Sequence, residues 1–236
     1  MSSALLSLPG ISRAIDLSFP ITDHFRWSIE TDLVHDLAKG DVFQTTRMRT
    51  LCHAFTHADA PLHVDASGTD IADMPLESWI GPAAVLDLTS VPPDGAIDAR
   101  LLAAAGGHLQ KGEIALLRTD WEARVDVTTE EFWTTAPYVT RDGAEWLAER
   151  EVRCVGYDFP QDPPIRGIVD GGPPADAADF VTHDVLLRHG VAMVEYLAGL
   201  RQIAAERTFF VALPLRLEAI DGSPVRAVAL EFDTAS

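Results

Sequence analysis

Two short apolar runs in the middle of the chain constrain the fold most strongly. EIALLRTDW begins at residue 113 and VRCVGYDF at residue 152, and each has the length of one strand. Such runs are typical of strands that are buried on both faces of a sheet. Helical segments precede both runs, at 97–109 and at 140–151, where Thr140 is a candidate N-cap. This alternation predicts a mixed α/β fold.

Strand-forming segments dominate the two ends of the chain. Residues 14–21 predict a short strand, 42–55 a long strand, and 209–217 with 223–232 a terminal strand pair around the turn DGSP. The segment 160–180 is rich in proline and glycine and predicts a long loop without regular structure. No internal repeat or linker interrupts the 236 residues, so we expect a single domain over 1–236.

Charge and composition argue against several classes of partner. A net charge of -18 would repel nucleic-acid phosphates and anionic membranes. The N-terminal stretch lacks the basic start of a signal peptide, and no run of apolar residues is long enough to cross a membrane. We therefore expect a cytoplasmic protein. A serine hydrolase is poorly supported, because the chain has no G-x-S-x-G motif.

The segment HAFTHADAPLHV, residues 53–64, concentrates candidate metal ligands. Imidazoles and carboxylates bind zinc, manganese and similar divalent ions. A straight strand would separate His53 from His57 by about 13 Å, at about 3.3 Å per residue, and a helix would turn Asp59 to another side. A shared ion therefore requires the backbone to bend between residues 53 and 59. The alternative is a strand end whose histidines hydrogen-bond to the backbone.

A site of two histidines and one aspartate would leave one coordination position for water. Metal-bound water loses a proton near neutral pH and becomes a nucleophile. His63 would then be the nearby proton carrier, since imidazole titrates close to working pH.

This segment resembles the H-x-G-T-H-x-D-x-P-x-H signature of the metal-dependent cyclase family, which includes bacterial kynurenine formamidase and isatin hydrolase. A second segment, HDVLLRHGVAMVEYL, is similar to the family's H-x-x-L-L-x-x-G-V-x-x-x-E-x-L and contains His183 and Glu195. AIDLSFPI, VGYDFP and DGSPVRAVAL are similar to further family segments, so the resemblance runs from about residue 14 to about residue 230.

The resemblance implies a mixed, barrel-like β core flanked by helices, of the swivelling β/α type, in a homodimer or higher homo-oligomer. It also implies one or two divalent ions, zinc or manganese. The implied metal ligands are His53, His57, Asp59, His183 and Glu195. Asp59 would bridge the two ions where both are bound, and His63 would be the catalytic acid and base.

Two aromatic residues are candidates for the substrate pocket. Phe55 stands where the family signature has glycine, which permits a positive φ. Phenylalanine does not adopt this conformation cheaply, so we expect either a different bend or a ring that enters the pocket and shifts substrate preference. Trp27 resembles a pocket aromatic of the family, although a lone tryptophan is more often part of the core.

The implied reaction is hydrolysis of an amide C–N bond in a small aromatic or cyclic amide. Two alternatives stay open. A lactone hydrolase, or a polyketide-type cyclase or lyase, would use the same metal site. A binding module would keep the metal for stability alone, but the presence of all five implied ligands together with His63 argues against it.

Overall fold

The structure is a computed structural model that describes residues 10–172 and 175–233. The N-terminal stretch 1–9, residues 173 and 174 of the proline-rich segment, and residues 234–236 lie outside this description. The strands are β1 (Ile11–Asp16), β2 (Glu30–His35), β3 (Thr45–Arg49), β4 (His57–Asp59), β5 (Ile80–Asp87), β6 (Ala96–Ile97), β7 (Ile114–Arg118), β8 (Tyr138–Val139), β9 (Cys154–Tyr157), β10 (Ala192–Glu195), β11 (Arg207–Val211), β12 (Gly222–Pro224) and β13 (Val228–Phe232). The α-helices are α1 (Ala99–Ala105), α2 (Trp121–Arg124), α3 (Glu130–Thr134), α4 (Arg141–Glu149), α5 (Ile165–Asp170) and α6 (Val181–Leu186).

Nine of these strands form one curled sheet, in the order β1-β13-β11-β5-β7-β9-β10-β4-β12. Its centre, β5-β7-β9-β10, is parallel, and helices lie in the connections between these strands. Parallel neighbours require such crossovers, and their strands are buried on both faces. The outer pairs are antiparallel. The predicted α/β class with a barrel-like β core is confirmed.

Two apolar clusters pack on the two faces of the sheet. Alternate residues of β7 divide between them: Ala115 and Leu117 join the cluster under the helices, and Ile114 and Leu116 join the other. This alternation follows from the two-residue period of a strand. The buried tryptophans Trp121 and Trp133 belong to the helix-side cluster, which continues to the edge of the candidate site.

Several local predictions hold and others are wrong. Thr140 caps α4, accepting a hydrogen bond from the Gly143 backbone N–H. The predicted long strand 42–55 is wrong, because β3 ends at Arg49 and the chain bends several times before β4. The predicted absence of regular structure over 160–180 is wrong, because this segment contains α5 and a 3₁₀ turn at Ala177–Asp179. DGSP is not a hairpin turn, because its last three residues form β12 and pair with β4.

The strands β2 and β3 form a separate antiparallel hairpin, and every residue of both strands is exposed. Its connection and flanks add large exposed apolar side chains, among them Val42 and Phe43, which are 81% and 73% exposed. Across 10–172 and 175–233, no helix has the length and apolar character that crossing a membrane requires.

Candidate metal centre

Strand β4 places two of the candidate ligands on one face of the sheet. His57 and Asp59 are two residues apart on this strand, both are buried, and their side chains approach to 3.2 Å between Nε2 and Oδ1. The backbone bends just before the strand, where Phe55 has a φ of 55°. This bend brings His53 beside the strand, with its Nδ1 2.7 Å from Asp59 Oδ1. The bend that the residue spacing required is therefore present.

Hydrogen bonds fix this bend from both sides. The Thr56 hydroxyl donates to the Tyr196 carbonyl at 2.6 Å and accepts from the Phe19 backbone N–H at 2.9 Å. His57 Nδ1 donates to the Phe55 carbonyl at 2.7 Å. Because Nδ1 is engaged by a carbonyl, Nε2 is the ring nitrogen that faces the acidic side chains of Asp59 and Glu195, which is the arrangement of a metal-ligating histidine.

The register between β10 and β4 adds the distant half of the cluster. Glu195 pairs directly with His57 across the two strands, so both side chains point to the same face. His183 Nε2 lies 3.3 Å from Glu195 Oε1, and its Nδ1 lies 2.7 Å from the buried carboxylate of Asp162. Asp162 thus orients the imidazole in the way that carboxylates orient metal-bound histidines.

His63 lies at the open side of the cluster. It ends a 3₁₀ turn at Pro61–His63, and its ring stacks on that of His53 with 4.0 Å between centroids. Asp221 contacts both histidines: its Oδ2 is 2.8 Å from His53 Nε2 and 3.1 Å from His63 Nδ1. The structure therefore brings together all six residues that the sequence predicts as ligands or acid–base catalyst, namely His53, His57, Asp59, His63, His183 and Glu195.

The charges of the cluster favour bound cations. Burial favours the neutral form of His53, but the hydrogen bonds and charges of Asp59 and Asp221 outweigh it and raise the pKa of His53 to about 9. Burial acts in the same sense on His183, where Glu195 and Asp162 raise the pKa to about 9. Burial opposes ionisation of Asp59, yet the neighbouring imidazoles hold its pKa well below the usual range. A divalent ion would replace the protons that these carboxylates otherwise hold on the imidazoles.

One unpaired atom tests whether the cluster fits a metal. Asp59 Oδ2 is buried, and no atom within 10–172 and 175–233 donates a hydrogen bond to it. Three groups among the described residues could supply ligand atoms within 4.8 Å of one another. Asp59 belongs to two of them, one with His53 and His57 and one with His183 and Glu195, and the third consists of His53, His63 and Asp221. A buried carboxylate oxygen without a donor is costly unless a cation lies beside it. Nitrogen and carboxylate ligands of this kind fit zinc or manganese.

The two candidate pocket aromatics lie behind the cluster. Phe55 keeps the left-handed conformation that glycine would adopt, and its ring is buried 4.7 Å from the ring of Trp27. Trp27 is likewise buried and packs against Trp133 and Tyr196. Neither Phe55 nor Trp27 lines the cavity in front of the cluster. The structure thus places both rings in the core.

That cavity has a volume of about 560 Å³. Its floor is formed by the histidines and Glu195, and Val64, Ile165 and Phe180 supply apolar wall. Arg26, Tyr196, Ala175 and Ala177 complete the lining. A concave apolar cavity with a few convergent polar groups is the usual form of a small-molecule site.

Asp221, Asp162 and Arg26 contact or line the site but are not among the residues that the sequence predicts for it. Asp221 belongs to DGSP, whose composition predicts a turn, although a carboxylate between two candidate histidines is the expected partner of their second ring nitrogens. Asp162 lies two residues after the VGYDFP segment that carries part of the family resemblance. No local pattern singles out Arg26.

The sequence of this chain matches a known protein family. The family model described as "Putative cyclase" matches residues 15–161. The kynurenine formamidase of Bacillus cereus is 30% identical over 223 residues, which cover 92% of this chain and 97% of that protein.

Two solved structures share the fold. A structure described as a potential metal-dependent hydrolase with cyclase activity is 26% identical, with a TM-score of 0.72 over 94% of this chain and 99% of the other. Isatin hydrolase A from Labrenzia aggregata is 21% identical, with a TM-score of 0.74 over 94% of each chain. From the extent of the family match and the similarity over nearly the whole chain, we conclude that this protein belongs to the cyclase family.

Proposed function

We propose that this hydrolase cleaves the amide C–N bond of a small aromatic or cyclic amide at the cluster centred on Asp59, with one or two bound zinc or manganese ions. One observation carries the proposal: two ligand groups share the buried Asp59, and His63 stands beside them on the wall of one cavity. Relatives named kynurenine formamidase and isatin hydrolase support the reaction class, since both names describe hydrolysis of aromatic amides.

The residues divide between holding the metal and moving protons. His53, His57 and Asp59 would hold the first ion, and Asp59 with His183 and Glu195 the second. A divalent ion at this position would polarise the substrate carbonyl and acidify a water molecule. The apolar wall formed by Val64, Ile165 and Phe180 would receive the aromatic part of the amide.

His63 would carry the proton from the attacking water to the leaving nitrogen. Burial lowers the pKa of His63, so its imidazole is neutral and able to accept a proton at neutral pH. Asp221 contacts Nδ1 and so leaves Nε2 of His63 for the substrate. Transfer of the proton to nitrogen makes the amine a good leaving group, which completes cleavage of the C–N bond.

The first experiment pairs metal analysis with a substrate screen. We expect protein purified without added metal to contain zinc or manganese and to hydrolyse an aromatic amide such as N-formylkynurenine or isatin. His63→Ala should keep the metal but lose about 10²- to 10⁴-fold in kcat. His189→Ala is the matched control, because His189 is exposed and, among the residues that the structure describes, its ring bonds only to the Val185 carbonyl. Unchanged turnover in metal-loaded His63→Ala would contradict the proposed catalytic role.

Cleavage or closure of a C–O bond is the second candidate. The same ligands and His63 suit a lactone, and the solved relative described as having cyclase activity, 26% identical to this chain, favours keeping it. A lactone panel run beside the amides distinguishes the two, since the preferred class will show the higher kcat/KM.

We further propose that the protein assembles as a homodimer through the β2–β3 hairpin. An isolated two-stranded hairpin is marginally stable, and this one is fully exposed within a single chain. Val42, Phe43 and Met48 are large apolar side chains exposed on and around this hairpin, and grouped exposed apolar residues are typical of interfaces. Phe43→Asp should produce monomers in light scattering, whereas Leu76→Asp, at a site 66% exposed elsewhere on the surface, should not. A wild-type monomer at high concentration would refute the assembly.

A further inference from the structure

Arg26 places a positive charge on the wall of the cavity, in a chain whose net charge is -18. Its guanidinium stacks over the ring of Trp133, with 4.3 Å between the guanidinium carbon and the ring centroid, and lies 5.6 Å from that of Trp27. Both rings are buried, and Trp133 is fixed by a hydrogen bond from its Nε1 to the Val127 carbonyl. The stack therefore holds the planar guanidinium in one orientation.

No side chain among the described residues neutralises this guanidinium. Within 10–172 and 175–233, Arg26 forms no ion pair, and its buried Nη1 has no hydrogen-bond acceptor. The Glu195 carboxylate, which lines the same cavity, is already engaged by Gln161 and His183. A buried donor without an acceptor costs free energy, and more so when it is charged.

A carboxylate is the group that best matches the unpaired guanidinium of Arg26. A guanidinium presents a planar fork of donors that matches the two oxygens of a carboxylate, and charge-assisted pairs of this kind are among the strongest hydrogen bonds. Arg26 lines the same cavity as the metal ligands. A single small molecule can therefore contact both.

We propose that Arg26 binds a carboxylate of the substrate, so that the preferred substrates are acidic aromatic amides rather than neutral ones. The inference rests on the proposed amide hydrolysis and deepens it. Arg26 would act on specificity: it holds the acidic group at one end of the substrate while the amide carbonyl reaches the cluster at the other end.

The test compares acidic and neutral partners of one scaffold. The 2-, 3- and 4-formamidobenzoates are assayed against the corresponding formamidobenzamides, which replace the carboxylate by an uncharged amide. Wild-type protein should favour at least one acid over its neutral counterpart by about 10- to 100-fold in kcat/KM. Arg26→Gln should abolish this ratio, mainly by raising KM for the acid, and Arg26→Lys should restore only part of it because the charge remains without the fork.

A matched variant controls for the loss of a stacked arginine. Arg150 lies 3.8 Å over the ring of Trp146, outside the cavity, and is partly buried as Arg26 is. Arg150→Gln should leave the acid-to-neutral ratio at the wild-type value. Circular dichroism and thermal unfolding establish that every variant is folded.

A binding measurement separates failure of this inference from failure of the proposed function. Wild-type protein should bind 2-aminobenzoate more tightly than 2-aminobenzamide by at least tenfold in a fluorescence titration, and Arg26→Gln should remove the difference. If no formamide is hydrolysed but this preference appears and depends on Arg26, the carboxylate site stands and the proposed reaction falls. Equal binding of the two probes by wild type, or a preference that survives in Arg26→Gln, overturns the inference.

Discussion

Replacing Phe55 by glycine tests how the bend before β4 is stabilised. The family signature has glycine here, so a sequence comparison alone would expect Phe55→Gly to be harmless or stabilising. The structure predicts the opposite. Phe55 is only 2% exposed, and its ring packs against Trp27 at 4.7 Å and His24 at 5.7 Å.

The magnitude follows from two opposing effects. Truncating a buried phenylalanine costs about 3–5 kcal/mol through lost burial and the cavity that remains. Relief of the left-handed conformation returns about 1–2 kcal/mol, part of which is lost again to the greater freedom of glycine in the unfolded chain. We therefore expect Phe55→Gly to lower the free energy of unfolding by about 2–4 kcal/mol, which corresponds to a fall in Tm of about 5–15 °C for a domain of this size.

The assay is urea unfolding followed by fluorescence, with Ala219→Gly as the matched control. Ala219 has a φ of 58° but an exposed side chain, so glycine there relieves the same conformation without opening a cavity. We expect Ala219→Gly to change stability by between zero and about +1 kcal/mol. If Phe55→Gly is as stable as wild type, the ring contributes nothing to the bend and the reasoning fails.

Three further predictions concern ligand placement and pH. A Cβ on Gly222 would lie 2.6 Å from His53 Cε1, so Gly222→Ala should displace that imidazole. We expect metal retention, measured by chelator competition, to weaken at least tenfold. Retention at the wild-type level would contradict this. Asp162→Asn removes the carboxylate that orients His183 and should weaken one metal site by about 10- to 100-fold; binding identical to wild type would exclude this role. Burial raises the pKa of Asp158 from 3.8 to about 7. The folded state therefore binds the carboxyl proton more tightly than the unfolded state does. The resulting stabilisation of the folded state is lost as pH rises from about 4 to about 7. Asp158→Asn should therefore gain up to about 4 kcal/mol relative to wild type between pH 4 and pH 8 in urea unfolding, and a difference independent of pH would refute the assignment.

Local sequence signals account for much of the fold. They are present even at α5, although the proline and glycine content of its segment predicts a loop. The prolines and glycines of 160–180 predicted a loop, yet Pro164 stands at the N-cap of α5 and Gly171 ends it in a left-handed conformation. Proline at the start and glycine at the end are the usual boundaries of a helix. The positions of Pro164 and Gly171 thus indicate a helix, whereas the high proline and glycine content of the segment incorrectly predicts a loop.

The DGSP segment shows a different limit. Aspartate, glycine, serine and proline favour a turn in isolation. Here Gly222 and Ser223 pair with β4 instead, because the edge of the sheet beside that strand accepts a short partner, and Pro224 is tolerated at such an edge. The pairing carries Asp221 to the two histidines, and it depends on tertiary contacts that no local propensity encodes.

The candidate site likewise combines residues that are close in sequence with residues that only tertiary contacts bring together. His53, His57, Asp59 and His63 lie in one short segment, so their types make a metal site a candidate and their spacing requires a bend for it. Spacing alone leaves open the alternative of histidines that hydrogen-bond to the backbone. Glu195 reaches them only because β10 pairs with β4 in a register that sets Glu195 opposite His57. Spacing says nothing about that register, and the sequence supplied Glu195 and His183 only through resemblance to a family.

Neither residue spacing nor family resemblance predicts Arg26, because what distinguishes it is a buried nitrogen without a hydrogen-bond acceptor among the described residues. An arginine in a sequence has many possible partners, and most surface pairs contribute little to stability. Only the packed structure shows this guanidinium held on Trp133 with a buried nitrogen that no described residue satisfies. The same reasoning applies to Asp59, whose buried Oδ2 also lacks a donor. The unpaired acceptor of Asp59 favours a cation and the unpaired donor of Arg26 favours an anion, so the two atoms together support the proposals of a metal beside Asp59 and an acidic substrate beside Arg26.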